Sequence, residues 1–411
     1  IAQMTKGLDE KTRAQTAAIL KSSMSDEAIR SFAHQTTWFS EKQADGTWGQ
    51  AKKMAPPLNN DFSTWICSAL PDNNTLLVGG MFGPGAVKQE YDLVKAMEAI
   101  AKQAEKAAEK GADLLTVMQA AKPAPSPAKP AGATTARLIV ATTVRAGGKW
   151  SEPAYLQIEG FSTFSNRNDF YLAPDNRALI LSISNNEGPG GRDLFASFRR
   201  DDGTWSKPKP LGAAVNSVED EITPFVAADG TSLYFASNRP GGSGGYDIYL
   251  SRRQDDTWTK WSPAQNLGPE VNTSEDDVDL TVDGMGRYAF LASGRTGAED
   301  IYVFELAPEM RPKPVAFVLG RAHDPADKPV AASVSYERLR DGVGAGDANA
   351  DRVSGKYRIG LPIGESYGFR AEAAGYIPVS DRIDLSKARP GEEFPRDLLL
   401  VPVKPGAVIR L

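Results

Sequence analysis

The chain has 411 residues, 41% of them hydrophobic and 24% charged, a length that divides into two or three domains and a composition typical of globular proteins. Its net charge of −5 comes from interleaved signs and excludes a dominant nucleic-acid role, which needs clustered Lys and Arg. The single cysteine, Cys67, excludes an internal disulfide and reads as a buried strand residue.

In chain order, residues 9–22 read as a helix. The opening at Ile1 has neither a charged n-region nor an apolar h-region, so any signal peptide is expected to have been removed already. No run reaches the roughly 18–20 apolar residues of a membrane helix. Thr36 to Lys42, followed by Asp45-Gly-Thr-Trp48, reads as the last strand of a repeat unit.

Trp48 begins a pattern that recurs. Trp150, Trp205 and Trp258 follow one another at intervals of 55 and 53, and Asp175, Asp229 and Asp283 at intervals of 54 and 54. Each Trp precedes its Asp by 24 or 25, as Trp48 precedes Asp72. Within the copy that starts at Trp205, Lys209-Pro-Leu-Gly leads to Val215-Asn216 and an acidic run, Glu219-Asp220-Glu221. Strand-like Thr223 to Ala227 and Ser232 to Ser237 flank Asp229-Gly230, a hairpin signal because both residue types accept positive φ cheaply. A Gly-rich loop, Arg239 to Gly245, then precedes Asp247-Ile-Tyr-Leu250. Four short strands in a repeated unit of about 50 residues are the signature of propeller blades.

The first copy is interrupted. The strand-like Arg137 to Arg145 begins 65 positions after Asp72, whereas Asp193 follows Asp175 by 18, an excess of 47. The inserted segment, about 83–136, begins as a helix whose apolar stripe of Tyr91, Val94, Met97 and Ala101 is a candidate partner-binding surface. It ends in a Pro-rich stretch, Lys122 to Gly132, of extended and semi-rigid character. After Leu306, the Pro-rich segment 307–314 reads as a linker. Residues 315–403 alternate as short strands between turn signals, which predicts a small β-sandwich. Residues 404–411 read as the start of a second linker, toward a domain that this sequence does not contain.

These motifs carry a resemblance. Ala228-Asp-Gly-Thr-Ser-Leu-Tyr-Phe-Ala-Ser-Asn-Arg-Pro-Gly-Gly and Tyr246-Asp-Ile-Tyr look like the WD-like repeat of TolB-type propellers. Leu211-Gly, Val215-Asn216 and Asp202 to Trp205 resemble the propellers of OmpA-family envelope lipoproteins. Val318-Leu-Gly, Ser354-Gly-Lys-Tyr-Arg-Ile and Ala374-Gly-Tyr resemble the carboxypeptidase-regulatory-like, transthyretin-type sandwich. The fold class expected is therefore all-β: a propeller of about five blades over 1–306, with a helical insertion, then the sandwich. The resemblance implies a periplasmic, outer-membrane-associated scaffold that binds envelope proteins, and peptidoglycan through an absent OmpA-like domain. The domain order also occurs in type IX secretion.

Catalytic chemistry finds little support. The two histidines, His34 and His323, lie in different predicted domains, and no G-x-S-x-G elbow or phosphate loop is present. No catalytic, cofactor or metal residue is assigned, and a non-enzymatic protein is expected. A carbohydrate- or cell-wall-binding propeller is the alternative, and a propeller enzyme acting on glycans a further one. Glu219-Asp220-Glu221 and Asp276-Asp277-Asp279 could hold Ca²⁺ or act as acid and base. Their recurrence at one place in successive copies instead reads as a solvated rim of the repeat. The four repeat tryptophans are expected to pack between blades, and Gly241 to Gly245 to form a flexible loop.

Overall fold

In a computed structural model, which describes residues 37–41, 43, 46–59, 64–72, 74–80, 140–146, 149–165 and 167–403, the alternating pattern is realised as β-strands. Among the described residues there is one 3-10 turn, Pro308–Met310, and no α-helix. The protein is all-β. The helices expected at 9–22 and in the insertion, with Tyr91, Val94, Met97 and Ala101, lie outside the described residues, as does His34.

The chain divides into two units, 1–65 with 80–82 and 66–79 with 83–411. In the smaller unit Trp38–Phe39 pairs antiparallel with Lys52–Lys53. The Asn59 carboxamide accepts from Thr37 N at 2.7 Å and donates to Thr37 O at 2.7 Å, mimicking a strand neighbour. Trp48 is 61% exposed, so the packing role expected for it is not realised.

The larger unit carries a succession of antiparallel sheets in chain order. The first contains Thr64–Ala69, Thr75–Gly80 and Val140–Ala146, with the short Lys149–Trp150 and Ala154–Tyr155. The second is Asp169–Leu172, Ala178–Ile183, Asp193–Phe198 and Lys209–Pro210. The third is Glu221–Val226, Ser232–Ser237, Asp247–Arg252 and Gln265–Asn266. The fourth has three strands, Asp277–Val282, Tyr288–Ser293 and Asp300–Glu305. Apolar side chains on both faces of these strands form one core between each pair of neighbouring sheets. Leu77, Leu179 and Phe195 lie in the core of the first pair, Ile180, Leu194 and Phe235 in the second, and Tyr234, Ile248 and Leu291 in the third. Burial on two faces explains why these strands read as apolar runs.

The structure corrects the register of the repeat. Equivalent hairpins close with Ala173 N on Ala178 O, Ala227 N on Ser232 O and Asp283 N on Tyr288 O, and the second interval exceeds the first by two positions. Asp72, Asp175 and Asp229 therefore match one another, whereas Asp283 stands two positions early and Met285 takes the shared place. Asp229 Oδ1 caps Thr231 N and Ser232 N; Asp283 Oδ1 reaches the corresponding Arg287 N and Tyr288 N from its own position. Positive φ falls on Gly286 (72°) rather than on Gly284. The tryptophan register shifts as well: Trp205 bridges Arg199 and Trp261 bridges Arg253, so Trp261, not Trp258, continues the series. Trp258 occupies a longer turn at φ 61°, buried against Trp261.

Residues 315–403 form two larger sheets around one core that includes Val318, Ile359, Val334 and Phe369, and a two-stranded sheet of Tyr376–Ile377 with Val401–Pro402. One sheet pairs Val315–His323 with Lys356–Pro362 and, in parallel, with Glu393–Pro395 and Leu398–Leu399. The other runs Gly344–Asn349, Ser333–Arg338, Ser366–Glu372, Val379–Asp384. The segment 307–314, read as a linker, is hydrogen-bonded to the third sheet. Tyr234 Oη donates to Met310 O at 2.6 Å, Arg252 Nη2 to Glu309 O and Arg311 O, and Lys313 N to Asp229 Oδ2.

Candidate functional site

The structure places the acidic runs at the joins between sheets. Glu221 N donates to Arg192 O at 2.7 Å, and Asp277 N donates to Tyr246 O at 2.8 Å. One residue earlier, Asp220 accepts from Arg192 N at 2.8 Å and Asp276 accepts from Tyr246 N at 3.0 Å. The Arg192 guanidinium and Tyr246 Oη also converge on Asp220 Oδ2.

Glu221 and Asp277 are fully buried, so the solvated rim expected for these runs holds only for their neighbours. Glu221 accepts from Ser217 N, Ser217 Oγ, Ser237 Oγ and Arg239 Nη2. Asp277 repeats the arrangement with Thr273 N, Thr273 Oγ1 and Arg295 Nη2. Arg239 lies 4.8 Å over the Tyr249 ring and Arg295 lies 4.6 Å over Tyr302. Every oxygen of these two carboxylates is committed to structure. The Val-Asn motif works beside them, because Asn216 and Asn272 grip Leu194 and Ile248 through both N–H and C=O. Ser237-Asn-Arg239 and Ser293-Gly-Arg295, one repeat apart, are the signal that sequence reasoning missed.

The Gly-rich loop is likewise tightly packed. A Cβ on Gly244 would meet the Ser274 carbonyl and lie 2.5 Å from Thr273 O; one on Gly190, at the equivalent place one repeat earlier, would meet Glu219 O and Ser217 O. Gly241, with φ 92° and open space, is the one the turn itself requires.

Two further carboxyl sites are present, and of their residues the sequence singles out Asp279 alone for chemistry. On the first strands of neighbouring sheets, Asp169 Oδ2 accepts from Thr223 N at 3.1 Å and Thr223 Oγ1 accepts from Asp279 N at 3.2 Å. Desolvation by the surrounding strands, then the nearby Asp169 and Glu299, pushes Asp279 up to about 6, although the residue itself is exposed to solvent. Burial also raises Asp169, against the Thr223 N–H and the charges of Arg192 and Arg167.

The other site is Asp193, fully buried with Oδ1 unpartnered. Burial, opposed by the Gly190 N–H and helped by the charges of Glu221 and Asp220, raises it to about 6. In the window from about 4 to 6 the native state holds a proton that the unfolded chain has lost, so this group's contribution to stability falls as pH rises. Asp193→Asn, which cannot ionise, is expected to exceed the parent by about 1–2 kcal/mol at a pH of about 7.5 and to match it at about 4. Urea titrations at both pH values check this; a variant no more stable at the higher pH would sink it.

A polar groove of about 610 Å³ lies where the second sheet meets the 315–403 sheets. Its base is held by Arg177, which donates to Asp347 through Nε at 2.7 Å and Nη2 at 2.9 Å, and by Asp347 N on Asp175 O at 2.9 Å. Arg338 Nη2 on Asp256 at 2.7 Å and Asn74 Nδ2 on Asn349 O at 3.2 Å tie the 315–403 sheets to the repeat sheets as well. Arg199, Arg200 and Arg370 line the walls with Ser333 and Asn349.

Among the described residues no group of three His, Cys, Asp or Glu could hold a metal ion, and no helix is long and apolar enough to cross a membrane. His323 Nδ1 lies 3.0 Å from Asp324 O, and Cys67 is half-buried.

No protein-family model and no curated protein matches the chain. Among solved structures it is similar to 3-chlorocatechol 1,2-dioxygenase from Rhodococcus opacus 1CP, at 11% identity over 22% of this chain and 62% of that one, with a TM-score of 0.19. It is also similar to catechol 1,2-dioxygenase from Pseudomonas arvilla C-1, at 16% identity over 24% of this chain and 56% of that one, with a TM-score of 0.19. The chain spans about three fifths of the length of those enzymes, and at such scores the likeness carries no argument about fold or chemistry.

Proposed function

We propose that the chain is a non-catalytic binding scaffold of the bacterial cell envelope, built as a β-propeller followed by a transthyretin-like sandwich. It works on the periplasmic side of the outer membrane, holding envelope proteins while a peptidoglycan-binding domain tethers them to the wall. Type IX secretion is the candidate system. The observation that carries this reading is how the two buried repeat carboxylates are used: Glu221 and Asp277 hold the loops of their own sheets through Arg239 and Arg295, while their backbone N–H groups join the preceding sheet. The preformed groove offers binding groups, guanidinium beside hydroxyl and amide side chains. Tethering fits such a design, since linking two modest affinities raises the effective concentration of each site for the other.

Affinity purification of the full-length protein from cross-linked envelope is expected to recover an outer-membrane complex in fixed proportion. The protein is also expected to sediment with purified peptidoglycan sacculi. Failure of both overturns the proposal.

A second reading, a glycan-active enzyme, is favoured by one observation: Asp169 and Asp279 share a neighbourhood, and Asp279 is raised to about 6, the range of a general acid. Turnover of a glycoside that is lost in Asp279→Asn would establish it.

A further inference from the structure

The groove between the second sheet and the 315–403 sheets has a charge unlike the rest of the chain. Four guanidinium groups, of Arg177, Arg199, Arg200 and Arg370, face three carboxylates, of Asp201, Asp347 and Glu372, in a protein whose net charge is −5. Their commitments differ. Arg177 is spent on Asp347 in a two-pronged pair that fixes the base. Arg200 pairs with Glu159 and Arg370 with Glu372, all four being largely exposed. Exposed pairs of this kind are worth little and exchange readily for another carboxylate. Arg199 is exposed, and its side chain has no hydrogen-bond or ion-pair partner among the described residues.

The shape is set in advance. Besides the Arg177–Asp347 pair, Gly346 packs so closely that a Cβ there would lie 2.9 Å from Asp175 O and run into the Tyr336 hydroxyl. A cleft of about 610 Å³ is within the roughly 300–1,000 Å³ of ligand sites. Ser333, Ser335 and Asn349 offer both donors and acceptors along one wall, as a backbone requires. Among the described residues no aromatic side chain lines it, which leaves a sugar ring no face there to stack on.

The geometry points to an acidic, extended peptide segment of a partner protein as the occupant of this groove, its carboxylates taken by Arg199, Arg200 and Arg370. This rests on the scaffold reading, because it names the chemistry of the partner that the scaffold holds. Guanidinium–carboxylate recognition is two-pronged and strong where the partners are prearranged.

The test uses the whole chain and a fluorescein-labelled octaglutamate peptide, followed by anisotropy at low and moderate salt. Saturable binding that weakens with salt is expected, together with a loss of about tenfold in the double variant Arg199→Glu/Arg370→Glu, since two modest exposed contacts are lost and two like charges then face the peptide. Arg389→Glu, outside the groove, is expected to leave binding unchanged, and circular dichroism should show all variants folded. Peptide binding that the double variant retains would overturn the proposal. So would no binding at all, or preferential binding of an oligogalacturonate. If the double variant still co-purifies with the envelope complex at parental yield, the groove assignment fails while the scaffold reading stands; loss of the complex from the parent protein overturns both.

Discussion

Glu221→Ala is expected to lower the free energy of unfolding by about 3–5 kcal/mol, the range for removing one partner of a buried ion pair. The side chain of Arg239 is only 15% exposed and packs against the Phe235 and Tyr249 rings, so without Glu221 it has no carboxylate and little contact with bulk water. Ser217 and Ser237 lose an acceptor as well. The backbone bond from Glu221 N to Arg192 O is kept in Glu221→Ala, so the loss is that of the carboxylate alone. Replacing both partners, Glu221→Leu with Arg239→Met, is expected to cost much less, since no charge is then stranded. Glu159→Ala, which removes an exposed partner of Arg200, is expected to change stability by about 0–1 kcal/mol. Guanidinium titrations of the four proteins decide the matter; equal losses in Glu221→Ala and Glu159→Ala would refute the bracing role.

Gly244→Ala is expected to cost about 2–3 kcal/mol, because its methyl group would press on the backbone of the next sheet at Thr273 and Ser274. Backbone cannot rotate away as a side chain can, so the two sheets must part. Gly190→Ala, at the equivalent place one repeat earlier, should behave alike against Ser217 and Glu219. Gly203→Ala is the discriminating control: its φ of 82° carries a conformational cost of about 1–2 kcal/mol, but the space around it is open. If thermal unfolding shows Gly244→Ala no worse than Gly203→Ala, the loop is as loose as its glycines suggest and the close packing described here is wrong.

Particular residues show how far the repeat was legible. Asp72, Asp175 and Asp229 advertise their hairpins because a short carboxylate capping two backbone N–H groups is a local event, settled within a few positions. The boundaries of Ser232–Ser237 and Asp247–Arg252 follow the apolar runs for the same local reason. Counting failed where a turn lengthened. The longer turn before Trp261 left Trp258 closer to the expected place, and Asp283 reproduced the expected spacing while its hairpin had moved by two positions. A spacing test cannot distinguish a repeated position from a neighbour of the same type. Arg239 and Arg295 were overlooked because a lone arginine in a Gly-rich loop looks solvated; only the fold brings it against a carboxylate 18 residues away.

By itself the sequence determined that the protein is all-β over its described residues, that the repeat sheets are built by consecutive hairpins, and that residues 315–403 form sheets with their own core. All of these depend on hydrophobic period and turn chemistry, which act over a few residues at a time. The tertiary structure alone decided which acids are buried, which glycines are filled space, and that Arg177 and Asp347, 170 residues apart, close the base of a groove. A side chain's charge and size are written in its type, but its desolvation and its partners depend on what the rest of the chain places beside it, and no local pattern encodes that placement.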